Sequence, residues 1–392
     1  MPWKETSAMD QRLQLIADWL SGEYTKRELC QLYEISRPTT DKWIARYEAC
    51  GARGLEELSR TPHRHPNQTT EALQQLIVGE KLKHQKWGPK KVLDLLRREQ
   101  PHVAWPADST GGEILKRAGL VGPHVRRRRV APYTAPFGDC TGPNQTWSAD
   151  FKGDFQLGNR RRCYPLTVSD NFSRYLLVCQ ALARPNYEAV RPWMEWGFRE
   201  YGLPAAIRTD NGPPFASLAL GGLSPLAKWW IQLGIRPERI RPGKPAQNGR
   251  HERMHRTLKD AVAPQADLLT QQRHYEPFRQ EYNWQRSHEA LGRQTPGSVY
   301  GGSPRPYPIK LPPIEYESGV TIRQVRHNGE IKWKGTCMYV SEVLAKEPLG
   351  LTPLAEDIWE LRYSFHVLGV LNERTKKILP AQGWHGTKLN KR

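Results

Sequence analysis

Apolar positions recur at helical spacing through the first sixty residues. Leu13, Ile16, Ala17 and Leu20 predict one helix, opened by Ser7 and Asp10 at capping-box spacing. Thr25 and Glu28 form a second such box, ahead of Leu29 and Leu32. Ser36 is a candidate N-cap for a third helix, with Pro38 in its first turn, where a missing N–H costs nothing. Trp43, Ile44 and Tyr47 predict the buried face of that helix. Arg37, Thr39, Thr40, Lys42 and Arg46 fall off it, as a helix reading the DNA major groove requires. Residues 1–60 therefore read as a helix-turn-helix domain.

A second helix-turn-helix-like domain is predicted over 68–122. One helix covers 71–84, another opens at Pro89 and runs to Glu99 around Val92, Leu93, Leu95 and Leu96, and Ser109 is the candidate cap of a third. Residues 123–144 read as a basic, Pro-rich linker in which Arg126, Arg127, Arg128 and Arg129 form an arm suited to a DNA backbone or minor groove. From 145 to 300 the pattern turns to α/β. TWSADF, CYPLTVSD, RYLLVCQAL and AAIRTD read as strands, with helices over 187–201, over 224–233 and after Gly249. A Pro-rich linker over 301–315 precedes a β-rich segment, 316–380, and a basic tail, 381–392. Asn328-Gly329 is a type I′ hairpin signal between VTIRQVRH and EIKWK, and further strands fit Trp359–Phe365, Val367–Leu371 and Lys377–Leu379. The expected product is a small five-stranded β-barrel.

Composition narrows the function. Against 40 acids stand 59 Lys and Arg, a net charge of +19, which points to a polyanionic partner and above all to nucleic acid. No apolar run has the ~20 residues of a membrane span, and the opening residues lack the apolar segment of a secretory signal. Six Cys at irregular spacing, without a C-x-x-C pair, read as reduced thiols of a cytoplasmic protein.

Three acids stand out by position. Asp150 lies in the first strand of the α/β segment, and Asp210 ends the fourth, just before Asn211-Gly212. Glu252 lies where PGKPAQNGRHERMHRTLKDA changes from loop to helix. Two carboxylates at strand ends and one on an adjacent helix can form an oxygen cage for a hard cation such as Mg²⁺. A pair of such ions would serve an in-line phosphoryl displacement, and Mn²⁺ could replace them. At 100° per residue, Arg256 and Lys259 fall within 40° of Glu252, while Met254, Leu258 and Ala261 fall on the opposite, apolar face. Asp154 and Asp170 compete for the same role, and Asp170 is expected to cap a turn between two strands.

TWSADF, RTDNGPPF and RPGKPAQNGRHERMHRTLK closely resemble the catalytic motifs of insertion-sequence transposases related to retroviral integrases. The resemblance covers about residues 140–300. It implies an RNase H-like core with an Asp-Asp-Glu triad at Asp150, Asp210 and Glu252. It also implies DNA-facing roles for Asn248, Arg256 and Lys259, and matches Asn211 and Gly212 to a D-N-G turn. The interval of 41 residues between Asp210 and Glu252 is longer than the family's usual one, with LALGGLSPLAK as the extra loop. The implied protein binds the terminal inverted repeats of its element, cleaves their 3′ ends and joins them to target DNA. It would act as a homo-oligomer, at the nucleoid and not at a membrane. The alternatives are a transposase-derived regulator that only binds DNA, and an RNase H-like nuclease.

Overall fold

The computed structural model describes residues 7–59, 68–122, 140–217, 219–240 and 249–381. The chain forms two compact units, Met1–Thr69 and Thr70–Arg392. Among the described residues no helix is long and apolar enough to cross a membrane.

The first unit is a three-helix bundle of α1 (Ala8–Ser21), α2 (Lys26–Leu32) and α3 (Arg37–Cys50). Both capping boxes form: Ser7 and Thr25 accept the N–H groups of Asp10 and Glu28, and each acid reaches back to the cap. Leu15, Ile16, Leu29, Trp43, Ile44 and Leu55 make the core. Of the apolar positions that set the helical spacing, Leu13, Leu20 and Leu32 are exposed, Leu20 by 58%. The apolar contacts of α1 run instead through Met9, Leu15, Ile16 and Trp19. The Arg12 guanidinium lies 4.0 Å over Trp43 and donates to the Leu55 carbonyl, covering the apolar edge that Leu13 does not.

The second unit starts with α4 (Glu71–Lys83), α5 (Pro89–Glu99) and α6 (Asp108–Arg117). Ala107, not Ser109, holds the N-cap position of α6. Gly111 costs helix propensity, but a Cβ there would lie 2.7 Å from Leu93 Cδ1, so its bare backbone lets α5 and α6 close.

Next come β1 (Thr146–Phe151), β2 (Phe155–Gln156), β3 (Arg162–Asp170), β4 (Leu176–Leu182), α7 (Tyr187–Tyr201), β5 (Ala206–Thr209), α8 (Pro225–Gln232), β6 (Arg236–Arg239), α9 (Gly249–Ala261), α10 (Leu268–Gln280) and α11 (Pro296–Val299). The sheet order is β4-β3-β1-β5-β6, antiparallel from β4 to β1 and parallel from β1 to β6; β2 pairs briefly with β3. Strand alternation feeds two cores. Trp147, Leu166, Val168 and Ile207 meet α7 and α8 through Phe198, Trp229 and Trp230. Cys163, Leu176 and Cys179 meet α9 and α10 through Met254, Leu258 and Tyr275. The sheet is therefore covered on both faces, and its polar residues must find partners inside.

The α4–α6 helices dock on this core through charge. Ser287 donates to Asp94 at 2.6 Å, and Arg293 bridges Asp94 on α5 and Asp108 on α6. The Pro-rich stretch also lies along the core: Leu203 N–H donates to Arg305 O, and Arg305 donates to the carbonyls of Pro204 and Leu233.

The tail holds β7 (Thr321–Gln324), β8 (Glu330–Trp333), β9 (Thr336–Tyr339), β10 (Pro348–Ala355), β11 (Ile358–Tyr363), β12 (His366–Asn372) and β13 (Lys377–Pro380). The expected closed barrel is not found. Five strands form an open antiparallel sheet, β13-β12-β11-β10-β7, and β8–β9 is a separate pair. Gly329 sits in a tight turn at φ 80°, closed by Arg326 N–H donating to the Glu330 carbonyl at 2.8 Å, yet the ladder does not continue from it: β7 pairs with β10 and β8 with β9. The sheet packs on Leu223, Ala227 and Ile231 at α8, so the residues expected as an extra loop seat the tail and start α8. Gly221 permits this at φ 64°, since a Cβ there would lie 2.8 Å from Leu368 Cδ2.

Arg293→Ala should therefore lower stability of the second unit by about 1–3 kcal/mol, because buried Asp94 loses its main charged partner. Urea unfolding of the full chain measures this; a change within about 0.3 kcal/mol would show that the docking rests on apolar contact alone.

Candidate active site

The parallel pairing of β1 with β5 matches Thr146 to Ala206 and Ser148 to Arg208. Continued by two residues, the same register brings Asp150 level with Asp210 on neighbouring strands, which in a sheet lie about 4.8 Å apart. Both are half-buried. Asp210 follows the last residue of β5, and its Oδ1 accepts the Gly212 N–H at 3.2 Å. Burial nonetheless raises its carboxyl above the ordinary aspartate range, against the lowering effect of that bond. A Cβ on residue 212 would lie 3.1 Å from Asp210 Oδ2, so glycine lets the turn fold against the carboxylate. Asn211 Nδ2 donates to the Ile240 carbonyl at 2.8 Å and ties the same turn to the end of β6.

Glu252 is exposed in the first turn of α9. What fixes α9 is the polar face of β3. Leu166 and Val168 face one core, so Thr167 and Ser169 face the other, where His251 and His255 meet them. The Thr167 hydroxyl lies 3.1 Å from the Asp150 carbonyl and 2.7 Å from the Nε2 of each histidine. A hydroxyl has one proton and two lone pairs. If that proton goes to the carbonyl, both imidazoles donate through Nε2–H, and His251 Nδ1 accepts from Ser169 at 2.9 Å. The His251 ring is then neutral. This agrees with burial holding His251 well below its usual range; burial also pushes His255 down to about 4. Asp150 pairs with Thr167 in the β1–β3 ladder, so α9 is anchored beside the strand that carries the first acid.

Carried on two residues, the β1–β5 register puts Asp150 level with Asp210, and the Thr167 bonds anchor the helix of Glu252 to β3 beside β1. The structure does not close the three into a cage: among the described residues, no three His, Cys, Asp or Glu side chains are grouped to hold a metal ion. Asp210 fits a hard cation as a donor, since burial makes its charge costly, and Asp150 offers a second carboxylate. Asp170 accepts from the Asn144 and Ser173 N–H groups and the Ser173 hydroxyl, a turn cap, and Asp154 pairs with Arg162.

Arg256 and Lys259 are exposed on α9. Lys152, which the sequence reading passed over, lies 5.1 Å over the Phe155 ring. Burial and the nearby Lys259 charge lower its pKa, so it extends the cationic surface at the end of β1. Its signal in the sequence was its place two residues after Asp150. Asn248 and Arg126–Arg129 lie outside the described residues.

On α3, Arg37 and Lys42 are exposed and Thr39 is half-buried. Thr40 is a correction to the expected DNA-reading face. It is fully buried, with its hydroxyl 3.1 Å from Cys30 Sγ, and so belongs to the bundle core. Arg46 is engaged locally: it donates to the Glu56 carbonyl at 2.5 Å and lies over Trp43.

A helical DNA-reading fold and a mixed sheet with two strand-end acids define the class. Residues 141–245 and 233–296 match two models described as integrase core domain; 11–63 match a helix-turn-helix domain, and 39–115 a homeodomain-like domain. The chain is 30% identical over 300 residues to the uncharacterised 39.2 kDa protein of insertion element IS476 from Xanthomonas euvesicatoria, covering 71% of this chain and 78% of that one. It is 28% identical over 260 residues to the 31.7 kDa protein of IS407 from Burkholderia multivorans, covering 64% and 89%. A Gag-Pol polyprotein of Koala retrovirus is 27% identical over 199 residues, half of this chain and 11% of the polyprotein. The chain belongs to the insertion-sequence transposases of the integrase-like superfamily.

The anchor is directly testable. Thr167→Val keeps the side-chain shape but leaves two buried imidazole N–H groups without an acceptor, so it should cost about 1–3 kcal/mol. Hydrogen exchange should quicken selectively in 249–261. Protection of α9 unchanged from the wild type would mean that its apolar face alone holds it.

Proposed function

We propose that the protein is a metal-dependent DNA transposase whose centre is formed by Asp150, Asp210 and Glu252. What supports this reading is the β1–β5 register, which carried on two residues levels the two aspartates, together with the Thr167 anchor of α9. Asp150 and Asp210 would hold divalent cations, two Mg²⁺ or in their place Mn²⁺, with Glu252 completing the set from α9. Bound there, such ions would activate the attacking oxygen and offset charge on the leaving one.

The first reaction is hydrolysis at each element end: water attacks phosphorus, the phosphodiester breaks, and a free 3′-hydroxyl remains. In the second, that hydroxyl attacks a target phosphodiester, forms the new bond and displaces the target's own 3′ oxygen. No bond to the protein forms in either step. Arg256, Lys259 and Asn248 are assigned to hold phosphates next to the scissile bond, with Lys152 beside them. Positioning of this kind pre-pays the entropy of alignment.

Sequence selection belongs to residues 1–60 through Arg37, Thr39, Lys42 and Arg46, with Thr40 now withdrawn from that set. The arm Arg126–Arg129 would grip the backbone without regard to sequence. The partners are the inverted repeats of the element and target duplex DNA, engaged by an oligomer at the nucleoid of a bacterial cytoplasm. The boundaries that go with this reading are 1–60, 68–122, 145–300 and 316–380, with the intervening stretches as connectors and 381–392 as a basic tail.

Asp150→Asn, Asp210→Asn and Glu252→Gln should each abolish end cleavage and joining in Mg²⁺ while leaving DNA binding nearly intact. In chelating buffer Asp210→Asn should melt no lower than the wild type, because it removes a charge that burial penalises. Gel assays of cleavage and joining decide the matter: near-wild-type joining by any one variant removes that residue from the centre. Binding retained by a wild type that neither cleaves nor joins would favour the regulator reading.

Deletion of 1–60 should reduce discrimination between element ends and random duplex more than it reduces total affinity. Competition binding at fixed salt measures the ratio, and an unchanged ratio contradicts the assignment.

A further inference from the structure

A cavity of about 310 Å³ opens among Asn171, Phe172, Arg174, Arg250, Leu291 and Val299, outside the acidic centre. Two cations share its wall. Arg174 Nη1 donates to the Asn171 carbonyl at 2.7 Å, and Arg250 Nη1 donates to the same oxygen at 3.1 Å. That oxygen has two lone pairs, and both are now taken, while each guanidinium carries further N–H donors. A neutral carbonyl does not cancel two positive charges, and among the described residues neither guanidinium forms an ion pair. The Asn171 side chain lies behind this wall. It is 3% exposed; its Oδ1 accepts from Ser148 at 2.9 Å, and its Nδ2 is buried without a hydrogen-bond partner.

We propose that this cavity binds a phosphodiester group of the DNA strand that crosses the start of α9, through Arg174 and Arg250. A phosphate offers several oxygens to convergent donors, and a guanidinium fork matches it bidentately. The electrostatics agree: burial and then the facing Arg250 push Arg174 down to about 10, against the raising effect of Tyr282 and Asp170. Phe172, Leu291 and Val299 supply apolar wall for a sugar or base edge. Arg250 precedes Glu252 by two residues and lies about 160° round α9 from it, so a strand that meets both crosses the start of the helix. The choice of DNA as the source of the phosphate rests on the function proposed above.

The test is duplex binding by the full chain across a salt series, with Arg174→Gln, Arg174→Lys and Ala290→Trp. Ala290 lines the cavity and is exposed, so tryptophan there blocks the space without changing charge. Each phosphate contact contributes about 0.9 to the slope of log K against log salt. Arg174→Gln and Ala290→Trp should each lose about that much, and Arg174→Lys should keep the wild-type slope. Wild-type slopes in both Arg174→Gln and Ala290→Trp overturn the proposal. Should Arg174→Gln lack a cooperative melting transition, Ala290→Trp alone decides. Inorganic phosphate that raises the melting temperature of the wild type but not of Arg174→Gln, with equal slopes, marks a free-anion site and also overturns it. A wild type whose duplex binding is insensitive to salt instead counts against the DNA-acting reading itself.

Discussion

One buried hydroxyl, that of Thr167, joins the central sheet to helix α9. It has a single proton and two lone pairs, and the Asp150 carbonyl, His251 and His255 use all three. That arrangement sets the height of α9 along β3, because His251 also reaches Ser169 two residues further on. It also fixes the rotation of α9. His251, Met254 and Leu258 turn inward, so Glu252, Arg256 and Lys259 are left facing out. The acid and the cations proposed to act on DNA thus share a surface because of the groups on the other side of the helix. The helix has Gly249 at its start and modest intrinsic support, so tertiary bonds must supply its placement.

Around this sheet the remaining elements dock by different means. The α4–α6 helices use charge, with Arg293 spanning Asp94 and Asp108. The tail uses apolar area, sharing Leu223, Ala227 and Ile231 with α8. The interval between Asp210 and Glu252 therefore has a structural use: part of it is the seat of the tail sheet. Where β5 ends, the Asn211–Ile240 bond keeps the turn carrying Asp210 fastened to β6 independently of that seat.

Helices with strong local signals were legible in the sequence. The two capping boxes set the starts of α1 and α2, and Pro89 set the start of α5. The strands β1, β3, β4 and β5 were legible because they are apolar runs rich in β-branched and aromatic residues. β6 was not: Arg-Pro-Glu-Arg reads as a loop, and it is a strand only because β5 offers an edge. α10, with Pro277 inside it, went unassigned, since its stability comes from packing Tyr275 and Phe278 on β4. Pairing partners depend on distant residues, which is why the signal at Asn328-Gly329 located a turn but not a hairpin. Thr40 shows the limit of a helical-wheel argument, for a small polar residue beside the apolar stripe was drawn inside by Cys30. The three acids proposed for the centre come from motif and position in the sequence. The His251–Thr167–His255 anchor was not legible there, because hydrogen bonding across two elements leaves no periodic trace.

The central claim is that Asp150, Asp210 and a Glu252 delivered by the anchored α9 together hold the cations that drive DNA joining. Counting bound Mn²⁺ by electron paramagnetic resonance, on the full chain with DNA from the ends of its element, tests this most directly. The account predicts two ions per centre in the wild type, and fewer in both Glu252→Gln and Thr167→Val, the latter because α9 is no longer held in place. Two ions retained in Glu252→Gln would contradict it.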